Sequence, residues 1–231
     1  MKTASLLTHP SVFPLHRTFT EPLRLKTRAS SPTRTEYYRR HATWLVGISI
    51  AGLTLVSGSR FGASSIVGET MFVVSVFLSA IAGSGRIWSK IYIAGYKSQA
   101  LVTEGPYSMC RNPLYLCSAV GIMGIGLATC TITIPAVLAT AFFVYFAVII
   151  ADEEKRLAAM HGAEFEAYRA RTPRIIPDFS RLREPARYVI CPRSLRRHLA
   201  DVIWFPVIVA AIHVGVHLHD RGLLPAWWWL Y

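Results

Sequence analysis

The stretch Arg111-Asn112-Pro113 sets a cation, an amide and an imino acid at the mouth of an apolar run. Asparagine is a good N-cap and proline suits the first helical position. A helix is therefore expected to open here, with its free backbone N–H groups turned towards the preceding loop. A helix N-terminus draws anions, and Arg111 adds a full positive charge beside it, so a carboxylate would be held well. The plainer alternative is a snorkelling arginine at an ordinary cap. Further along, Asp152, Glu153 and Glu154 stand where another apolar run ends. Acids at a helix C-terminus oppose its dipole. The helix is thus expected to continue through Lys155 to about Met160. Gly162 would break it, a second helical stretch would carry Phe165 and Tyr168, and Pro173 would end that stretch.

These residues need elements that bring them together. Only 16% of the 231 residues are charged, against about 25% in ordinary soluble domains, and the mean hydropathy is positive. The net charge of +12 alone would fit nucleic acid or an anionic membrane surface; the apolar runs decide for the membrane. Five runs approach the length of a bilayer core of ~30 Å: about Ala42–Ser57, Ser65–Ile87, Pro113–Thr129, Ile132–Ile150 and Val202–Leu218. Residues 1–41, 83–112 and 151–199 carry all the Lys and Arg except Arg60 and Arg221. Five crossings with the N-terminus inside put those three cationic segments on the cytoplasmic face. The expected architecture is therefore all-α, a polytopic membrane bundle with a cytoplasmic helical segment that forms the ligand site. Residues 1–40 are basic, rich in Ser and Thr, and nearly free of acid before Glu36; they read as a disordered tail, with an organellar transit peptide as the alternative. Residues 41–199 form the core, and 200–231 a last span with an aromatic tail, Leu224–Tyr231, in an interfacial belt outside.

The third and fourth runs are separated by a very short link at Cys130–Thr131, which requires a tight antiparallel hairpin. Gly121, Gly124 and Gly126 would let backbones approach closely on the third span. The hairpin makes Arg111 a neighbour of Glu153 and Glu154. A pocket with a cationic and an anionic end suits a zwitterionic ligand; the alternative is a structural salt bridge, costly unless well hydrogen-bonded. The four cysteines form no CxxC pair and read as small buried hydrophobes. His213 and His217, four apart on one helix face, have metal-like spacing, but no third ligand is evident, and hydrogen bonding near the outer interface is the stronger reading. No metal, nucleic acid or obligate protein partner is called for.

The ordered pieces LVTEGPYSMCRNPLYL, an apolar hairpin, EE and HGAEFEAYRARTPRIIP resemble the membrane methyltransferases of the isoprenylcysteine carboxyl methyltransferase and phospholipid methyltransferase families. The resemblance covers residues 101–177. It implies S-adenosylmethionine as cofactor and a lipid or lipid-modified acceptor, first a carboxylate of isoprenylcysteine type, with a phospholipid amine as the alternative. Carried onto this chain, it assigns cofactor binding to Gly105, Pro106, Tyr107, Arg111, Asn112, Pro113, Tyr115, Glu153 and Glu154. Arg111 and Glu154 become the catalytic pair. Asn112 replaces the family's common histidine and cannot titrate near neutrality, which removes proton transfer from that position. Arg171 and Arg174 could attract an anionic acceptor or anionic lipid. His161 is the nearest base in sequence and reads as a surface residue. Two other classes stay open: a sterol-type membrane reductase using nicotinamide, and a non-catalytic scaffold.

Overall fold

The computed structural model describes residues 52, 57–93, 100–188, 190 and 192–231. Residues 1–40, expected as a disordered tail, and nearly all of the first expected span lie outside these.

Helix α1 (Ile66–Ile93), the single turn α2 (Pro106–Met109), α3 (Pro113–Leu127), α4 (Thr133–His161), α5 (Ala163–Arg171) and α6 (Pro192–Asp220) follow in order, with a 3-10 turn at Phe179–Arg181. Three are long and apolar enough to cross a membrane: α1, α4, and residues Val202–Asp220 of α6. The third expected span is shorter than its apolar run suggested. With 15 residues, α3 measures about 22 Å at ~1.5 Å per residue, under the ~30 Å of a bilayer core. At α6 the sequence also misled. The apolar run marks a helix start near Val202, yet the helix begins at Pro192 and carries Pro206 in its interior. The ten residues before Val202 are helical although they are not apolar.

The all-α expectation needs one correction. Ser57–Ser59 (β1) pairs in parallel with Trp228–Leu230 (β2), Gly58 opposite Trp229. Ser57, assigned above to the end of the first span, belongs to this strand. Three-residue strands leave no periodicity to read, and the pairing is long-range. The tail still presents its aromatics outward: Trp227, Trp228 and Trp229 are all exposed. Tyr231 bends back so that its carbonyl oxygen accepts from the backbone N–H groups of Ile132 and Thr133, both at 2.7 Å. It thereby serves donors at the start of α4 that have no partner within the helix.

The bundle is organised around α3, which packs against α1, α4 and α6. Its three glycines each face a different neighbour. A side chain at Gly121 would overlap the ring of Phe205 on α6; one at Gly124 would press on Ser75, Leu78 and Ser79 of α1; one at Gly126 would meet Pro135 of α4. On α1 the buried positions include Ser75, Ser79, Ala82, Gly83 and Ser89, a seam of small residues at helical spacing. Between lipid-bathed helices, association rests on such close packing rather than on excluding water. Outward faces are apolar and open, as at Phe77, Phe143, Val148 and Ile203. The chain reverses between α3 and α4 at Cys130, whose φ is +53°, and Ser59 Oγ donates to the Cys130 carbonyl there.

Antiparallel packing sorts the ends. Arg60, Ala63, the 128–132 link, Asp220 and the tail share one end, with Asp220 accepting from the Ala63 N–H. The starts of α2 and α3, the end of α4 and all of α5 share the other.

Replacing Gly121 with Ala should destabilise the bundle by about 1–3 kcal/mol through overpacking against Phe205. Thermal unfolding in micelles measures this, and Phe205→Leu in the same chain should recover part of the loss. Equal losses in the single and double variants would place the cost elsewhere.

Candidate functional site

Arg111 is the last residue but one before α3, and its guanidinium points at the end of α4. Its Nε donates to Glu154 Oε1 at 3.0 Å. The two side chains are 10% and 13% exposed, so the pair is largely withdrawn from water and must be fully hydrogen-bonded to be tolerated. Two further contacts meet most of that demand: Nη1 donates to the carbonyls of Arg169 at 2.9 Å and Thr172 at 2.7 Å. Those oxygens belong to the C-terminal turn of α5 and the residue after it, where helix carbonyls lack internal partners and a cation is favourable. The Arg111 backbone N–H donates to Pro173 O at 2.8 Å. One residue thus ties α3, α4 and α5 together. Among the described residues, Arg111 Nη2 has no hydrogen-bond acceptor, so that edge of the fork is unengaged.

Asn112 occupies the N-cap position and Pro113 the first turn, as the sequence indicates, but no side chain caps the helix. Asn112 Nδ2 instead donates to Arg174 O at 3.0 Å. The expected cap is therefore a strap: the amide holds the segment after α5 against the start of α3. Other bonds extend the strap. Asp178 N donates to Met109 O at 3.1 Å and Gly105 N to Arg183 O at 2.8 Å, while Arg183 N donates to Ser108 Oγ at 3.0 Å. Arg174 turns its own side chain back, with Nε 3.4 Å from Glu154 Oε2; being 44% exposed, it adds little energy.

The two adjacent acids have different company. Glu154 faces Arg111 and Arg174. Glu153 accepts from Tyr115 Oη at 2.6 Å and lies 3.6 Å from Arg156. One turn of helix carries two neighbouring residues to different sides, so Glu153 is the more open of the pair.

Before α3, Gly105 has φ +59°, and a side chain there would overlap the ring of Tyr92; both constraints require glycine. Pro106 starts α2, and the Tyr107 carbonyl accepts from Tyr168 Oη at 2.7 Å. Burial, with the neighbouring Tyr168 and Glu153, raises the Tyr107 phenol well above its ordinary pKa. Burial also raises Tyr168, against partial relief from Arg111 and Arg171. Neither phenol is an acid near neutrality. Burial pushes the Cys110 thiol up to about 11, so it stays protonated and inert.

The structure therefore gathers Arg111, Asn112, Glu154 and Arg174, sets Tyr115 on Glu153, and holds the Gly105-Pro106-Tyr107 turn beside them through Tyr168. Arg171 is exposed, and its carbonyl accepts from Arg181 Nη1; it has no bond to the Arg111–Glu154 pair. His161 closes α4 two turns beyond Glu154, and its Nε2 is buried without a hydrogen-bond partner. Sequence reasoning missed Tyr168, Ser108 and the carbonyls of Arg169 and Thr172. Tyr168 carried a signal, its helical spacing from buried Phe165; backbone acceptors carry none.

Residues 57–164 match the model of a phospholipid methyltransferase family. The chain is 36% identical over 181 residues to the nickel-cobalt-cadmium resistance protein NccN of Alcaligenes xylosoxydans, covering 77% of this chain and 84% of that protein. It is 33% identical over 187 residues to the cobalt-zinc-cadmium resistance protein CzcN of Cupriavidus metallidurans, covering 81% and 86%. No solved structure matches.

Two measurements check the geometry. Asn112→Asp, which removes the donor to Arg174 O, should cost about 1–3 kcal/mol and open the 172–183 segment to protease, whereas Asn112→His keeps an N–H and should stay protected. At pH 8 Cys110 should resist alkylation in the folded protein and react once it is unfolded, as peptide mapping would reveal.

Proposed function

The chain belongs to the phospholipid methyltransferase family, within the membrane methyltransferases that include isoprenylcysteine carboxyl methyltransferases, and from that premise we propose that it methylates a lipid-borne acceptor using S-adenosylmethionine. The observation that carries this reading is the half-engaged guanidinium of Arg111. Its Nε and Nη1 are spent on protein oxygens while Nη2 has no protein partner among the described residues, and Glu153, beside Glu154 in the chain, is partly open to solvent.

That pairing fits the amino acid end of the cofactor. Arg111 Nη2 would take the carboxylate, as guanidinium forks do, and Glu153 or Glu154 the ammonium. Gly105, Pro106, Tyr107, Asn112, Pro113 and Tyr115 line or brace the same place. When bound, the cofactor supplies an activated methyl on a sulfonium. The protein's work is to align and to exclude water. Glu154 fixes the guanidinium plane, Asn112 holds the strap over the site, and the half-buried Tyr107 and buried Tyr168 keep water from beneath it. We retain Arg111 and Glu154 as the central pair, with Glu154 acting by positioning Arg111.

For the acceptor, the part-exposed Arg174 and the exposed Arg171 support an anionic group. A carboxylate of isoprenylcysteine type reacts as the anion it already is and needs no base; an amine would have to lose a proton first. An apolar groove of about 470 Å³ between α1 and α6, lined by Phe72, Val76, Ile87, Val202 and Ile203 among others, offers room for a lipid tail. The cation-rich end of the bundle supports a cytoplasmic site. The names of the two relatives support resistance to divalent transition metals as the setting in which this methylation serves.

Labelled methyl transfer from S-adenosylmethionine to prenylcysteine analogues and lipid extracts tests the reading. Arg111→Ala should weaken cofactor binding at least a hundredfold, and Glu153→Gln about tenfold, with membrane insertion intact. Unchanged binding in both variants would remove the site assignment.

A further inference from the structure

Two histidines of α6 lie at the end of the bundle away from Arg111 and are not used by the methyl-transfer reading. His213 and His217 stand one helical turn apart, and their Nε2 atoms are 3.2 Å from each other. Their rings are nearly perpendicular, at 83°. Phe72 of α1 stacks on His213 with centroids 3.6 Å apart and planes 12° from parallel, which fixes that ring. His217 is three residues from the end of α6 at Asp220, or about 5 Å at ~1.5 Å per residue, close to the aqueous boundary.

Polar side chains on a membrane-crossing helix are costly and call for a reason. A hydrogen bond between the two rings gives only part of one. It engages one Nε2 as donor and the other as acceptor, and the buried His213 Nδ1 has no partner with or without it. The spacing suits something else. Imidazole nitrogens bind tetrahedral zinc at ~2.0–2.1 Å, which sets neighbouring ligand atoms about 3.3–3.4 Å apart. The observed 3.2 Å is within easy reach of that edge.

We propose that His213 and His217 bind one divalent transition-metal ion through their Nε2 atoms, at the end of the bundle opposite the methyl-transfer site. Among the described residues no third His, Cys, Asp or Glu joins them, so water or an outside ligand completes the coordination. Such a site is open and exchanges its ion. Two neutral imidazoles favour nickel, copper, cobalt or zinc over magnesium and calcium, which take oxygen ligands. His219 makes a suitable control, because its Nδ1 faces Leu224 O at 3.2 Å in the turn that follows the helix.

The test uses tag-free, full-length protein in micelles, with Co²⁺ as the probe and no methyl donor, so its outcome is independent of the enzymatic reading. Visible absorption and equilibrium dialysis should give one saturable Co²⁺ per chain. His213→Gln and His217→Asn should each weaken binding at least tenfold, and His219→Gln should leave it unchanged. In the unmodified protein, Co²⁺ should protect His213 and His217, but not His161, from diethyl pyrocarbonate, read by mass spectrometry. This second readout holds even if a variant folds poorly. Equal Co²⁺ binding by the double variant, or no protection of the pair, would overturn the proposal and leave a simple hydrogen-bonded pair.

Discussion

Arg111 is the interaction on which the rest of the structure depends. A guanidinium that is only a tenth exposed would be intolerable in this setting with one partner. Here Glu154 neutralises it through Nε, and two carbonyls from the end of α5 take the protons of Nη1. Each group solves a problem for another. The α5 carbonyls have no helical donors, Glu154 sits in a poorly solvated place, and the cation needs both. Because the partners come from three helices, the ion pair can form only when the α3–α4 hairpin and the α4–α5 corner are both in register. Gly162, at φ +50°, makes that corner. A residue with a side chain would strain the turn that returns α5 to Arg111.

Precision at that junction has to be delivered through lipid-embedded helices, where burial of apolar surface supplies no preference for one packing over another. The three glycines of α3 supply it by shape. Each accepts a different neighbour: a ring from α6, a backbone oxygen and small side chains from α1, a proline from α4. A slide of α3 by one residue would put a side chain against each of those groups at once. The helix that carries Arg111 and Asn112 at its mouth is thus locked along its length, and the site inherits that lock. At the far end, the Tyr231 carbonyl on the first donors of α4 and the short parallel strands hold the other ends of the same helices.

Much of this was legible from residue types and order. The continuation of α4 past its acids, the break at Gly162, the α5 helix with Phe165 and Tyr168, and the meeting of Arg111 with Glu154 all follow from charge against helix dipole and from a link too short to allow anything but a hairpin. What escaped reading did so for physical reasons. Asn112 is as good a strap as a cap, and only the position of the Arg174 carbonyl decides between them. Apolar runs mark lipid exposure rather than helix length, so α3 ended short of a full crossing and α6 began well before its run. The strands at Ser57–Ser59 and Trp228–Leu230 are too brief for a period, and their partners are at opposite ends of the chain. The identical letters at 153 and 154 concealed two environments that only the helical turn separates.

In the proposed reading, that last separation lets one cation be both a structural tie and a ligand group. Were both acids turned to Arg111, its donors would be exhausted and the site would be a closed salt-bridge knot. Directing Glu153 to Tyr115 and Arg156 leaves one carboxylate, Glu154, against Arg111 and Arg174. It also leaves the Nη2 edge for a second carboxylate from outside. The cost of desolvating the guanidinium is met by protein groups before any ligand arrives. A bound carboxylate then gains a charge-assisted fork without having to organise it. On that reading, the most buried ion pair among the described residues supports the ligand pair instead of competing with it.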